Sequence, residues 1–384
     1  MKQLFLTSEQ EMLQSSVKSF ARDRLSEEYL LRAKQEIFPR EIYREMAGLG
    51  LLSLMVGEGR IDNWEPDYVS IGIVFEELAY RDFNVANCLL PGLITSSMIA
   101  LHGSDVSKDI WLDGLVSGEL LVGLALTEPG SGSDAAGMSC SAKRVGNGWT
   151  LNGEKTSVSL AKDLDAVICF AKSYDEDVFQ GISCFLVPIN TDGVQVQPIH
   201  DTGWAPIGRG SIVLNEVHVD DTSRIGSIGS AFRSVMIEFD WTRPILGLAA
   251  VATAQAAIDD AVRYVQDRKS FGKPLYVNQG VSFPLAEHTT YLHLARLLCY
   301  DALHKRNLGM KHTTEAAMSK WYAPLVAGQA IHQALLLHGH YGYSVELPFE
   351  QRLRDVLAVE IADGTAQIQK MIISRDLFHG QVTT

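Results

Sequence analysis

The chain has 384 residues, of which 46% are hydrophobic and 21% charged, with a formal net charge of −13 at pH 7. That length permits two or three structural units around a large core, and the composition is that of a folded globular protein with no disordered tract. The acidic balance argues against nucleic acid as the main partner, because phosphate binding needs concentrated Lys and Arg.

MKQLFLTSEQ at the N-terminus has neither the apolar core of a signal peptide nor an Arg/Ser-rich transit composition, so a cytoplasmic location is expected. From Thr7 to about Gly118 the periodicity is helical, opening with a capping-box spacing at Thr7 and Gln10 and continuing through FPREIYREMAGLG, DYVSIGIVFEELAYRD and KDIWLDGLVSG. Residues 1–120 are therefore expected to form an all-helical domain. From Leu121 the runs become short and β-rich (LVGLALT, GWTLNGEK, DAVICFAK, GISCFLVP, SIVLNEVHV), and Asn147-Gly148 and Asn152-Gly153 both read as hairpin turns. Residues 121–231 are expected to form a compact barrel or sandwich. Long helical stretches return in residues 232–384. Their most apolar run, Ile245 to Ile258, is interrupted by Thr and Gln and is too short for a membrane span, so a buried helix and no integral membrane segment are expected.

Several stretches carry candidate chemistry. ALTEPGSGSDAAG has Gly130, Gly132 and Ala135 at the spacing of a dinucleotide fingerprint, but an antiparallel hairpin follows where a Rossmann unit needs a helix. A loop of small residues still lets backbone amides approach a flavin or a phosphate. RKSFGKPL, Arg268 to Leu275, reads either as a helix terminus with cations at its negative end or as an Arg placed for a pyrophosphate. The 11 His form no defensible ligand set and no metal is expected; His338 and His340 diverge on a helix. The five Cys are odd in number and contain no CxxC, which suits a reducing compartment. Near the C-terminus, EIADGTAQIQ sets Asp363 on a Gly break between two helical runs, where it reads as a helix cap or as a functional carboxylate.

Seven stretches in order, ALTEPGSGSD, LNGEK, FDWTRP, RKSFGKPL with Gln279, HGHYGY, LRD and ADGTAQIQ, together resemble the flavin-dependent acyl-CoA dehydrogenase family over essentially the whole chain. The resemblance implies an α+β, mostly α fold: an N-terminal helical domain, a central β-barrel and a C-terminal four-helix bundle, assembled as a homotetramer with FAD near subunit interfaces. It implies that Ala125, Leu126, Thr127, Gly132 and Ser133 contact the flavin, with Ser133 also near the CoA arm. Ser157, Val158 and Ser159 would back the isoalloxazine. Arg268, Phe271 and Gln279 would reach a neighbouring subunit's FAD, while Gly339, Thr365 and Gln367 help close the cofactor site. Asp240 and Arg243 match positions that hold the substrate or support the site, and Ala362 and Gly364 flank the reacting carbon.

The family's base is usually a Glu before Gly-Thr, and Asp363 stands in that place. A carboxylate there takes the acyl α-proton while the β-hydride leaves from the opposite face to flavin N5, and desolvation by the acyl chain strengthens it as a base. Some relatives carry the base on the helix containing TRP, where this chain has Thr242. Ser157, Ser159 and His340 also depart from the familiar pattern. The expected activity is α,β-dehydrogenation of an acyl-CoA, with electrons passed to electron-transfer flavoprotein. Because Asp363 and Ala362 both withdraw volume from the α-carbon, an alicyclic or α-branched acyl group such as cyclohexanecarboxyl-CoA is expected. A carrier-protein thioester and a silent flavin-binding homologue remain the alternatives.

Overall fold

The computed structural model describes residues 6–26, 28–57 and 64–379. The first third is helical: α1 (Ser8–Leu25), α2 (Tyr29–Lys34), α3 (Arg40–Gly48), α4 (Tyr68–Ala79), α5 (Phe83–His102) and α6 (Asp105–Ser117). The capping box at α1 forms as the spacing requires, with the Gln10 amide donating to Thr7 Oγ1 at 3.2 Å and the Thr7 amide to Gln10 Oε1 at 3.1 Å. Asp67, Asp82 and Ser104 cap α4, α5 and α6 with side-chain oxygens that accept from first-turn amides. Helix α5 has no amphipathic signature to find, because it is buried on nearly every side and contains Pro91.

The middle segment forms one eight-stranded sheet from β1 (Val122–Ala125), β2 (Ser141–Val145), β3 (Gly148–Val158), β4 (Ala166–Asp175), β5 (Val178–Pro188), β6 (Val194–Pro198), β7 (Gly210–Asp220) and β8 (Arg224–Ile225). Its path runs β6-β7-β3-β2-β4-β5-β8, with β1 pairing in parallel with β4. The hairpin expected at Asn147-Gly148 joins β2 to β3, but its two-residue turn is Gly146-Asn147, and Gly148 opens β3 opposite Val145. Asn152-Gly153 is not a turn. It lies inside β3, where the register with β7 slips between Leu151 and Gly153. Gly153 takes φ +145°, and a Cβ there would stand 2.8 Å from Cys140 Cα. Close backbone approach at a bulge, rather than a turn, demands the glycine.

Five helices complete the described chain: α7 (Ala231–Asp267), α8 (Gln279–Asn307), α9 (Thr313–Leu337), α10 (Phe349–Val359) and α11 (Ala366–His379). Helices α7, α8 and α9 pack on one another, α10 and α11 pack against α9, and α4 lies across α7 and α8. Helices α5 and α7 are long and apolar enough to cross a bilayer, yet both are mostly buried inside this fold.

All three segments meet at Asp355 on α10. It accepts from Tyr29 Oη (2.8 Å) and Asn84 Nδ2 (3.0 Å) of the helical first third, from the Trp204 amide (3.0 Å) of the sheet segment, and from Gln351 Nε2 (3.0 Å) on its own helix. Burial raises its pKa from the ordinary 3.8 to about 6, and these donors oppose the rise. Asp355 thus fixes how α10 sits against the sheet and α5. Eight residues further on, the chain reaches Asp363.

Candidate active site

After α10 the chain makes a left-handed break. Asp363 has φ +51° and Gly364 φ +95°. Asp is among the few non-glycine residues that tolerate this region, and at Gly364 a Cβ would meet Gln369 Nε2 at 2.6 Å. The next helix, α11, begins at Ala366, with the Gln369 amide bonded to the Thr365 carbonyl. The break is held by side chains from three helices.

Helix α7 supplies Thr242 and Arg243. Thr242 Oγ1 donates to Asp363 Oδ2 at 3.0 Å, and Arg243 Nε approaches the Asp363 carbonyl at 3.5 Å. Arg243 is buried and paired with Asp240 at 2.9 Å, while Asp240 also accepts from Thr313 Oγ1 at 2.6 Å. Burial lowers the pKa of the guanidinium, and Asp240 and Asp363 both oppose that. Asp240 is therefore committed to holding Arg243. Helix α9 supplies Lys320, whose ammonium donates to the Val359 carbonyl and, at 3.3 Å, to the Gly364 carbonyl. Helix α11 supplies Gln369, whose amide nitrogen donates to the carbonyls of Asp363 (3.1 Å) and Gly364 (2.9 Å).

Lys320 and Gln369 escaped the sequence reading, as did the bond Thr242 makes to Asp363. Lys320 left one signal: it is a lone cation in the apolar run MSKWYAPLVAG. It is 1% exposed, and burial pulls its pKa down from 10.5 to about 8, against the attraction of Asp363. An ammonium so placed is bonded to carbonyls at both ends of the break. The result is a carboxylate on a rigid, strained turn, with its carbonyls drawn back toward buried donors.

On the sheet, the residues expected to contact a flavin converge. The Thr127 carbonyl accepts from the Thr156 amide at 2.8 Å, which sets the loop after β1 beside Ser157 and Ser159 at the end of β3. Ala125, Leu126 and Val158 are buried, whereas Thr127, Ser157 and Ser159 are half-buried and Gly132 and Ser133 exposed. A fully buried pair, Lys155 Nζ to Glu128 Oε1 at 2.8 Å, pins the loop from behind. Glu128 also accepts from the amides of Ser139 and Cys140, and these bonds and Lys155 lower its pKa to about 2 against the effect of burial. In front, a Cβ at Gly130 or Gly132 would meet nothing within 4 Å. An open small-residue loop, half-buried hydroxyls and a rigid backing fit a flavin ring. Ser157, one of the departures from the family pattern, takes φ +61° and accepts from Arg209, which is itself paired with Asp201. The Asp201–Arg209 loop also contains Trp204, so the flavin-side strand is coupled to Asp355 and through α10 to Asp363.

Arg268, Phe271 and Gln279 form an exposed group at the C-terminal end of α7 and the start of α8. Phe271 and Gly272 make the turn of a two-stranded hairpin at φ +49° and +79°, and the Phe271 side chain is fully exposed. Gly339 lies just beyond α9 at φ +60°, Gln367 is exposed in the first turn of α11, and Thr365 and Ala362 are half-buried beside Asp363.

Comparison with known proteins gives this architecture its context. Residues 7–119, 123–220 and 229–378 match the family models for the N-terminal, middle and C-terminal domains of acyl-CoA dehydrogenases. The human mitochondrial short-chain specific acyl-CoA dehydrogenase is 32% identical over 96% of this chain and 89% of its own. The CarC subunit of the caffeyl-CoA reductase-Etf complex of Acetobacterium woodii is 31% identical over 97% and 98%. Among solved structures, butyryl-CoA dehydrogenase from Megasphaera elsdenii superposes with a TM-score of 0.92 at 30% identity, covering 98% of this chain and all of that one. Matches along the full length, to sequence relatives and to folded structure alike, place the chain in the acyl-CoA dehydrogenase family.

Proposed function

We propose that this acyl-CoA dehydrogenase removes the α-proton with Asp363 and acts on an alicyclic or α-branched acyl-CoA, with cyclohexanecarboxyl-CoA as the leading candidate. Membership of the family makes it an FAD-dependent oxidoreductase. Bound FAD supplies the hydride acceptor. Its binding falls to the Thr127–Ser133 loop, Ser157 and Ser159, with Arg268, Phe271 and Gln279 serving the site of a second subunit. The protein's own contribution is to hold a carboxylate at the α-carbon, and the backbone amide of residue 363 is the natural donor to a thioester carbonyl on which charge develops.

One observation carries the substrate reading. Asp363 is short, and its carboxylate is tied back to Thr242 Oγ1 at 3.0 Å on α7. With Ala362 beside it, neither residue carries a long side chain toward the acyl group, and the reach of the base is small. A linear chain leaves the α-hydrogen distant, whereas a ring or α-branch adds bulk there and brings the hydrogen closer. Misplacement by about 1 Å can lower a rate roughly a hundredfold.

Electron-transfer flavoprotein is the proposed acceptor, supported by the Etf partner named for CarC. A homotetramer is proposed because Phe271, Tyr276, Val277 and Phe283 are all exposed around the connection from α7 to α8. All five Cys are free and buried, which supports a reducing cytoplasm. Anaerobic kcat/KM for cyclohexanecarboxyl-, isobutyryl-, butyryl- and octanoyl-CoA tests the substrate reading: the ring substrate should lead, and a clear lead for either linear thioester would overturn it.

A further inference from the structure

Helix α5 is buried nearly all round, and one stripe of it keeps a trace of exposure. Asn87, Leu90 and Ile94 keep 4%, 8% and 5% exposure and Pro91 is half-buried, while neighbouring Val85, Ala86, Cys88 and Leu89 are at 0%. These positions are i, i+3, i+4 and i+7, so they share a face. Contacts on either side of the stripe show where it looks. On one flank Thr95 Oγ1 donates to the Val122 carbonyl at 3.1 Å, on the strand leading into the Thr127 loop. On the other, Ser97 Oγ donates to Glu238 Oε1 at 3.2 Å, one turn before Thr242 on α7. The stripe therefore faces the space between the flavin-side loop and the helix that holds Asp363.

Within that stripe Asn87 is anomalous. Neither its Nδ2 nor its Oδ1 has a hydrogen-bond partner, although both are buried. Asn84, one turn earlier, uses its Nδ2 on Asp355 and leaves only its Oδ1 unpaired. A buried amide with both ends unsatisfied is rare in folded proteins and destabilises the free protein. Its neighbours Leu90, Pro91 and Ile94 are apolar and offer it nothing.

We propose that Asn87 is a specificity-determining residue that binds a hydroxyl group on the acyl portion of the substrate. A hydroxyl both donates and accepts, so it satisfies both ends of the carboxamide. A carboxylate would leave Oδ1 unmatched and bring a charge to a stripe without a cation; an ammonium would leave Nδ2 unmatched. The inference deepens the acyl-thioester reading and does not depend on the acyl group being a ring.

Two matched pairs test it: cyclohexanecarboxyl-CoA with 4-hydroxycyclohexanecarboxyl-CoA, and butyryl-CoA with 4-hydroxybutyryl-CoA, each with wild type, Asn87→Leu and the smaller Asn87→Ala. Wild type is expected to favour the hydroxylated member of at least one pair by about tenfold or more in kcat/KM, because a site built around a hydrogen bond rejects the analogue lacking it. Asn87→Leu should reverse that preference and melt no lower than wild type without substrate. A hydroxyl preference in the linear pair alone would support Asn87 and count against the ring reading. Equal rates within both pairs, a preference that survives both substitutions, or a melting point several degrees lower in both variants would overturn the proposal; the last outcome would mean that a water already satisfies the amide.

Discussion

The break at Asp363 and the stripe on α5 are built on opposite plans. At the break the backbone is irregular, with two successive positive φ angles, yet its carbonyls are tied down by Lys320, Gln369 and Arg243. On α5 the backbone is a regular helix, and a polar side chain is left with nothing to bind. The difference separates two tasks. Proton removal is the same for every substrate and rewards a rigid base, whereas reading one acyl group from another needs unsatisfied chemistry that only the right ligand completes.

The strongest way to break this contrast is to remove the base without disturbing its support. Asp363→Asn keeps the size and the left-handed tolerance of Asp, so FAD content, thioester Kd and melting temperature should hold while stopped-flow flavin reduction falls about a thousandfold. A rate near wild type would take Asp363 out of the chemistry.

Next comes the support itself. Lys320→Met removes the cation joining the Val359 and Gly364 carbonyls, and a loosened turn should lower kcat about tenfold to a hundredfold with KM little changed. The wild-type pH profile should fall on its alkaline side near pH 8 as the ammonium loses its proton, and the variant should lack that limb. Stability moves the other way. With the folded pKa near 8 and the unfolded value at 10.5, the folded state binds fewer protons between them, so the Lys320 contribution rises with pH across that window by about 3 kcal/mol. The difference between wild type and Lys320→Met in denaturant titrations at pH 7.5 and 10 measures it; no difference would mean that Lys320 is not the titrating group.

Asp355 sharpens the comparison from outside the site, because it couples α10 to α5. Its folded pKa of about 6 lies above the ordinary 3.8, so its contribution is fully present below pH 3.8 and lost as pH rises toward 6. Against Asp355→Asn, wild-type stability should fall by about 3 kcal/mol across that window, beneath the opposing trend from carboxylates such as Glu128. Parallel stability curves for the two proteins would refute this. The smallest effect is expected at Thr242→Val, which removes the 3.0 Å bond to Asp363: a fall of a few-fold in kcat and a stability change within about 1 kcal/mol. A hundredfold loss would show that the hydroxyl takes part in the proton transfer.

The two regions also differed in how well they could be read beforehand. Asp363 was legible because a Gly break in a helical pattern is a local signal and ADGTAQIQ a recognisable stretch. Its support was not, since Lys320 lies 43 positions earlier and Thr242 a further 78, and only tertiary packing brings them together. Helix α5 fell within the stretch expected to be helical but was not singled out, because an element buried nearly all round loses the periodicity by which helices are delimited, and Pro91 reads as a breaker. Asn152-Gly153 misled for the opposite reason. A turn signal can mark any place where backbone must approach backbone, and here it marks a bulge.

The central claim is that Asp363 moves the α-proton, and the most direct measurement follows that proton rather than the flavin. Enzyme is mixed anaerobically in deuterium oxide with substoichiometric cyclohexanecarboxyl-CoA, and the unreacted thioester is recovered and read by mass spectrometry for deuterium at the α-carbon. Wild type should incorporate deuterium and Asp363→Asn should not, while both bind the thioester with the same Kd. Equal incorporation by the two proteins would contradict the account, because another group would then be exchanging the proton.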